Sequence, residues 1–168
     1  MPLDSPTGPL TTLEETVDLA RQHLDHLEQQ FQSPVLLLVA PVEEWAEQTQ
    51  VRNTIEAARV SVQMMPTLVV EMRGEHHLSF GRAPQNAVIL PFGAVSKHHG
   101  FFRQENGGWS IEDVGSKNGT FVDGVQVARG TMVPLRDGGS LRFGDVTAKF
   151  WLSKSFCLDL RKRLKYSL

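Results

Sequence analysis

The sequence predicts a mainly β protein: an antiparallel β-sandwich with an N-terminal helical extension and a short C-terminal helix. Three observations predict it. From about residue 66 the chain becomes a succession of short segments rich in β-branched and aromatic residues, among them TLVVEM, GFFRQ, WSIEDV, SLRF and VTAKFWL. Turn signals separate them, such as Asn106-Gly107-Gly108, Asn118-Gly119, Asp123-Gly124 and Asp137-Gly138-Gly139. Closely spaced short strands of this kind read as a sandwich or barrel. Ahead of residue 66 and behind residue 152 the apolar residues instead recur at the helical period.

Taken in order, Pro2, Pro6, Gly8 and Pro9 make the first residues a flexible lead-in. Thr12-x-x-Glu15 is a capping box, in which side chain and backbone at a helix start satisfy each other's orphan donors. Behind it Leu13, Val17, Ala20, Leu24, Leu27 and Phe31 share one stripe, so a helix is expected over 12–32. Ser33-Pro34 ends it, because a residue before proline avoids the helical region. Residues 35–39 are continuously apolar and read as a strand. In 43–58 the apolar residues Trp45, Val51 and Ile55 make no clean stripe, and 43–66 carries no assignment beyond weak helical character. At the far end Phe156, Leu160 and Leu164 stand at spacings of four, so 153–168 is expected as an amphipathic helix with a basic, solvated end at Arg161, Lys162, Arg163 and Lys165. The expected division is therefore an extension over 1–65, a sandwich over 66–152 and a closing helix over 153–168.

Composition narrows the function classes. Of 168 residues 40% are hydrophobic and 21% charged, enough for a core, and the net charge of -2 points to no nucleic-acid or membrane partner. Cys157 is the only cysteine, which rules out an internal disulfide framework and multi-cysteine zinc patterns and fits a reducing cytoplasm. No signal-peptide profile opens the chain, and its longest apolar run, 35–42, is broken by Pro41 and too short to span a bilayer. A soluble cytoplasmic protein is expected.

Three islands carry the chemistry: Phe80-Gly81-Arg82, then Val95-Ser96-Lys97-His98-His99, then Asp113-Val114-Gly115-Ser116-Lys117-Asn118-Gly119-Thr120-Phe121. Phosphate recognition needs a permanent cation in a fixed fork, hydroxyl or amide donors, and rigid loops to hold them. Arg82 supplies the fork, Ser96 a hydroxyl and an N–H, Lys97 a second cation, and Asn118 an amide that can pair with peptide backbone. In order and spacing the islands resemble the signature of forkhead-associated (FHA) domains: Gly-Arg, Ser-x-x-His, Ser-x-Asn-Gly-Thr. Trp109, Asp123-Gly124 and Leu141-x-Phe143-Gly144-Asp145 match accessory positions. The resemblance covers about 66–152 and implies an FHA/SMAD-like sandwich that binds phosphothreonine peptides. It implies that Arg82, Ser96 and Lys97 contact the phosphate and Asn118 the peptide backbone. Lys117, inside the third island, is the better candidate for a basic rim than Arg103. Gly81, His99, Ser116, Gly119 and Thr120 are expected to form the scaffold of the site. Two positions depart from the family pattern: Asp123 stands where asparagine is frequent, and Gly100 where a small apolar residue is.

The expected function is a phosphothreonine-dependent adaptor in Ser/Thr kinase signalling, with a threonine-phosphorylated protein as partner and no cofactor, metal or catalytic activity. The alternative is a phosphate-independent FHA-like docking or oligomerisation module. The N-terminal helix has three uses open to it: packing on the sandwich, dimerisation, or binding a second partner. Adjacent histidines on a strand face opposite ways, so His76-His77 and His98-His99 can each offer one ligand to a given site, which speaks against a metal. Gly-x-Ser-x-Gly is absent, and Gly115-Ser116-Lys117-Asn118-Gly119-Thr120 lacks the Gly-Lys-Ser/Thr ending of a nucleotide-binding phosphate loop.

Overall fold

The computed structural model describes residues 10–39 and 67–166. Its elements run β1 (Thr11–Thr12), α1 (Leu13–Gln22), a 3-10 turn (Leu24–His26), α2 (Leu27–Gln30), β2 (Val35–Val39), β3 (Thr67–Glu71), β4 (His77–Gly81), β5 (Val88–Ile89) and β6 (Gly100–Glu105). They continue with β7 (Gly108–Asp113), β8 (Thr120–Val122), β9 (Val125–Gln126), β10 (Met132–Leu135), β11 (Ser140–Phe143), β12 (Val146–Trp151) and α3 (Ser153–Tyr166). A seven-stranded sheet, in the order β1-β3-β2-β12-β11-β8-β9, faces a five-stranded sheet, β10-β7-β6-β4-β5. The pairs are antiparallel except for β4 with β5, a two-residue parallel pairing that departs from the all-antiparallel expectation. Residues 43–58, where weak helical character is expected, lie outside the described residues.

The apolar run of β2 has a clear reason. Leu36 and Leu38 join Phe80, Phe102, Phe143 and Phe150 in the core between the sheets. Val35 and Leu37 point the other way and pack with Ala20, Leu27, Phe156 and Leu160 under the helices. A strand covered on both faces has no polar alternation to show. It also sits inside the sheet, paired with β12 on one side and β3 on the other, although it lies well before residue 66. The larger sheet thus draws β1 and β2 from the stretch read from sequence as an extension.

The capping box forms as expected: Glu15 N–H donates to Thr12 Oγ1 at 3.1 Å and Thr12 N–H to Glu15 Oε2 at 2.8 Å. The single helix expected over 12–32 does not. The backbone breaks at His23 (φ −131°, ψ 39°), and the 3-10 turn precedes α2. Leu24, on the expected stripe, stays 43% exposed, whereas Leu27 is fully buried and Phe31 meets Phe156 edge-on at 5.1 Å between centroids. Local periodicity favours one straight helix; burying Leu27 and Phe31 against α3 requires the bend, and tertiary packing outweighs propensity.

Candidate functional site

The islands meet at one end of the sandwich, where three loops leave β4, precede β6 and join β7 to β8. Backbone bonds tie the first to the second: Arg82 N–H donates to Ser96 O at 2.9 Å and Ala83 N–H to Lys97 O at 3.1 Å. The approach leaves no room for a side chain at Gly81, where a Cβ would stand 2.4 Å from Lys97 O. Asn86, 2% exposed, locks the same junction by donating Nδ2–H to Ala83 O at 2.8 Å and Lys97 O at 2.7 Å. The second loop is tied to the third by Lys117 N–H donating to Ser96 Oγ at 2.9 Å and Asn118 Nδ2–H to Ala94 O at 2.9 Å.

Beneath the loops runs a buried chain of polar groups. Ser96 N–H donates to His99 Nδ1 at 3.1 Å, so that nitrogen carries no proton. Thr120 gives its single hydroxyl proton to Asp113 Oδ2 at 2.7 Å, which obliges His99 Nε2–H to donate to Thr120 Oγ1 at 3.0 Å. The imidazole is therefore neutral, with its hydrogen on Nε2. Burial pushes the His99 pKa below its ordinary value, against the Asp113 charge and a backbone hydrogen bond with Gly119, both of which raise it. Asp113 also accepts from Ser116 Oγ at 2.6 Å, Ser116 N–H at 2.7 Å and Gly115 N–H at 2.8 Å. Burial pushes its carboxyl up, but the bonds from Ser116, Thr120 and Gly115 outweigh it and hold the pKa below the ordinary value. Ser116 Oγ in turn accepts from Gly119 N–H at 3.0 Å, closing the third loop on itself.

What this frame presents outward is a set of donors. Arg82 is exposed; its Nε–H donates to Val95 O at 3.2 Å, fixing the plane of the guanidinium and leaving the terminal N–H groups for a ligand. Ser96 Oγ accepts from Lys117 N–H, so its own hydrogen remains to donate. Lys97 and Lys117 are exposed beside it. Asn118 uses one N–H on Ala94 O and keeps its carbonyl and second N–H. The residues named from sequence as ligand contacts, Arg82, Ser96, Lys97, Lys117 and Asn118, are thus brought together on these loops. Gly81, His99, Ser116, Gly119 and Thr120 lie in the frame that joins them.

Other expectations are redistributed. Arg103 pairs with Glu112 across β6 and β7 at 2.9 Å and is engaged in the sheet rather than on the loops. Asn118-Gly119 is no hairpin turn, since only Gly119 (φ +81°) has a left-handed backbone. Gly100 is required by crowding: a Cβ there would stand 2.0 Å from Glu112 O. Asp123 adopts the left-handed conformation (φ 48°) that asparagine also tolerates, and its carboxylate accepts from Ser140 N–H at 2.9 Å. Asn86 carries no sequence signal beyond lying in a polar turn, and Asp113 stands out in the sequence only as the first residue of the third island. Among the described residues no group of three or more histidine, cysteine, aspartate or glutamate side chains could hold a metal ion. Among them, too, no helix is long and apolar enough to cross a membrane.

Comparison with known proteins places these features in context. Residues 78–144 match the profile of the family described as FHA domain. The chain is 28% identical over 92 residues to the FHA domain-containing protein FhaB of Mycobacterium tuberculosis, covering 55% of this chain and 51% of that one. It is 44% identical over 45 residues to the glycogen accumulation regulator GarA of the same organism, covering 27% of this chain and 28% of GarA. It spans about half the length of FhaB and less of GarA. Its fold is similar to the solution structure of an FHA domain from Arabidopsis thaliana, with a TM-score of 0.50 and 21% identity over 71% of this chain and 85% of that one.

Proposed function

We propose, from the site's geometry and the match of residues 78–144 to the FHA domain profile, that the protein docks onto a threonine-phosphorylated partner. The phosphate is held by Arg82, Ser96 and Lys97, and the peptide backbone beside it by Asn118, with Lys117 on the rim. One observation carries the reading. Among the described residues the Arg82 guanidinium is tethered by its Nε–Val95 O bond alone, which orients the fork without occupying its end. A phosphate monoester brings roughly 1.5–2 negative charges and three acceptor oxygens, and a planar fork matches two of those oxygens at once. Lys97 and Lys117 add charge, while Ser96 supplies a hydroxyl on a backbone that cannot shift without breaking its bond to His99. The frame is built before ligand arrives, so little ordering is left to oppose binding.

Partner choice then depends on a Ser/Thr kinase, as befits an adaptor in kinase signalling. A cytoplasmic setting suits that role and the free, buried Cys157. The domain acts by binding, and no step of this function calls for catalysis. The test is calorimetric titration with a phosphothreonine peptide library against its unphosphorylated counterpart. Binding is expected only to the phosphorylated pool. Arg82→Ala removes charge-assisted bonds of about 1.5–3 kcal/mol each, so affinity should fall by roughly 100-fold or more while thermal unfolding stays unchanged. Equal binding of both pools would instead identify a phosphate-independent docking module, and an Arg82→Ala variant that binds as the wild type does would remove this site assignment.

A further inference from the structure

Arg129, in the connection between β9 and β10, is not part of the phosphate site, yet the fold holds it against the recognition loop. Its backbone belongs to a turn over 128–131 in which Thr131 N–H donates to Ala128 O at 3.0 Å and Gly130 takes a left-handed φ of 72°. The turn is anchored twice: Val127 N–H donates to Thr120 O at 2.9 Å and Gly130 N–H to Asp113 O at 2.8 Å. Its second anchor is therefore the residue whose carboxylate shapes the loop carrying Lys117 and Asn118. The side chain lies across Gly115, where a Cβ would stand 2.9 Å from Arg129 Nε and 3.1 Å from Cζ. Gly115 has a left-handed φ of 107°, so the bare backbone on which the guanidinium rests is itself a requirement of the loop.

Arg129 is exposed and makes no hydrogen bond or ion pair among the described residues. The carboxylate of the frame to which its turn is anchored, Asp113, is 4% exposed and already accepts from Gly115, Ser116 and Thr120. A cation kept in place beside a peptide-binding loop, with its donors unused, is suited to an anion the ligand brings. We propose that Arg129 is a specificity-determining residue that pairs with a carboxylate side chain flanking the phosphothreonine, so that peptides with a glutamate or aspartate at that position bind better. This rests on the phosphothreonine reading above. Arginine suits the role because its fork accepts a carboxylate at both oxygens and its position on Gly115 limits the freedom lost on pairing.

The experiment uses the full chain and fluorescence anisotropy with a phosphothreonine peptide flanked by alanines, against the same peptide with one glutamate at each flanking position in turn. The readout is the ratio of affinities. For an exposed pair the gain at the preferred position should be roughly 2–5-fold, declining as salt is raised. In Arg129→Ala the ratio should collapse to about one, and in Arg129→Glu it should invert in favour of lysine. Circular dichroism and thermal melts establish that both variants are folded. A glutamate preference that survives in Arg129→Ala, or no preference in the wild type despite binding of the alanine-flanked phosphopeptide, overturns this inference alone. Absence of binding to every phosphorylated peptide overturns the phosphothreonine reading and this inference together.

Discussion

Replacing Thr120 with valine preserves the shape of the side chain and deletes one hydroxyl, which makes it a sharp probe of the buried chain beneath the loops. Thr120 is fully buried. Its hydroxyl donates to Asp113 Oδ2 at 2.7 Å and accepts from His99 Nε2 at 3.0 Å. The first bond is to an ionised carboxylate and is worth about 1.5–3 kcal/mol; losing the second leaves a buried N–H without a partner, at about 1–3 kcal/mol. Asp113 keeps its bonds from Ser116 and Gly115, so the sum should fall near 3–4 kcal/mol. That is a large share of the roughly 5–15 kcal/mol that holds such a domain together, and for a chain of this size it corresponds to a fall in Tm of about 10 °C. Urea unfolding followed by tryptophan fluorescence measures it, with Thr120→Ser as the control that keeps the hydroxyl. In a double-mutant cycle with His99→Phe the two losses should be strongly non-additive, since each removes the same bond. A loss below about 1 kcal/mol for Thr120→Val, or simple additivity in the cycle, would refute the proton assignment and the view that these groups act as one unit.

Three further outcomes are expected, two from this buried chain and one from the sheet. The folded pKa of His99 lies below its unfolded value of 6.5, so between the two the unfolded chain takes up a proton that the native ring refuses. Its contribution to stability is thus full above about pH 6.5 and declines as pH falls below it; thermal melts across that range should show a slope that flattens in His99→Phe. Asp113 acts in a lower window, its stabilisation present above 3.8 and lost as pH drops further. A fragment beginning at Thr67 lacks β2, whose Val35, Leu36, Leu37 and Leu38 are buried. At about 1.5–3 kcal/mol each those side chains account for roughly as much as the whole domain's stability, so the fragment should be insoluble or unfolded, whereas a soluble folded monomer on gel filtration would show that the sandwich stands without β2.

Much of the site was legible because its chemistry lies in contiguous strings. Gly81-Arg82, Ser96-Lys97 and Ser116-Lys117-Asn118-Gly119 each supply both a proposed ligand contact and the turn that presents it, and such strings survive in one dimension. Asn86 did not stand out because its work is done on Lys97 O, eleven residues later in the chain. Arg129 was equally silent: nothing near it in sequence points to Gly115, and only the register of β8 and β9 carries the following turn onto Asp113.

The same division runs through the fold. Capping residues, the β2 apolar run, the alternation of the later strands and the turn glycines are local, set by backbone sterics and side-chain periodicity, and the sequence by itself determined them. Where the first helix breaks, how far the larger sheet extends toward the N-terminus, and which exposed cations flank the loops carrying Arg82, Ser96 and Asn118 were decided only in the tertiary structure. Those outcomes depend on contacts between residues distant in sequence: Leu27 and Phe31 bend the chain because α3 is there to cover them, and β2 enters the sheet because β3 and β12 leave a place between them. Local propensities are worth a few tenths of a kcal/mol per residue, whereas a buried leucine is worth several times that, so packing prevailed wherever the two disagreed.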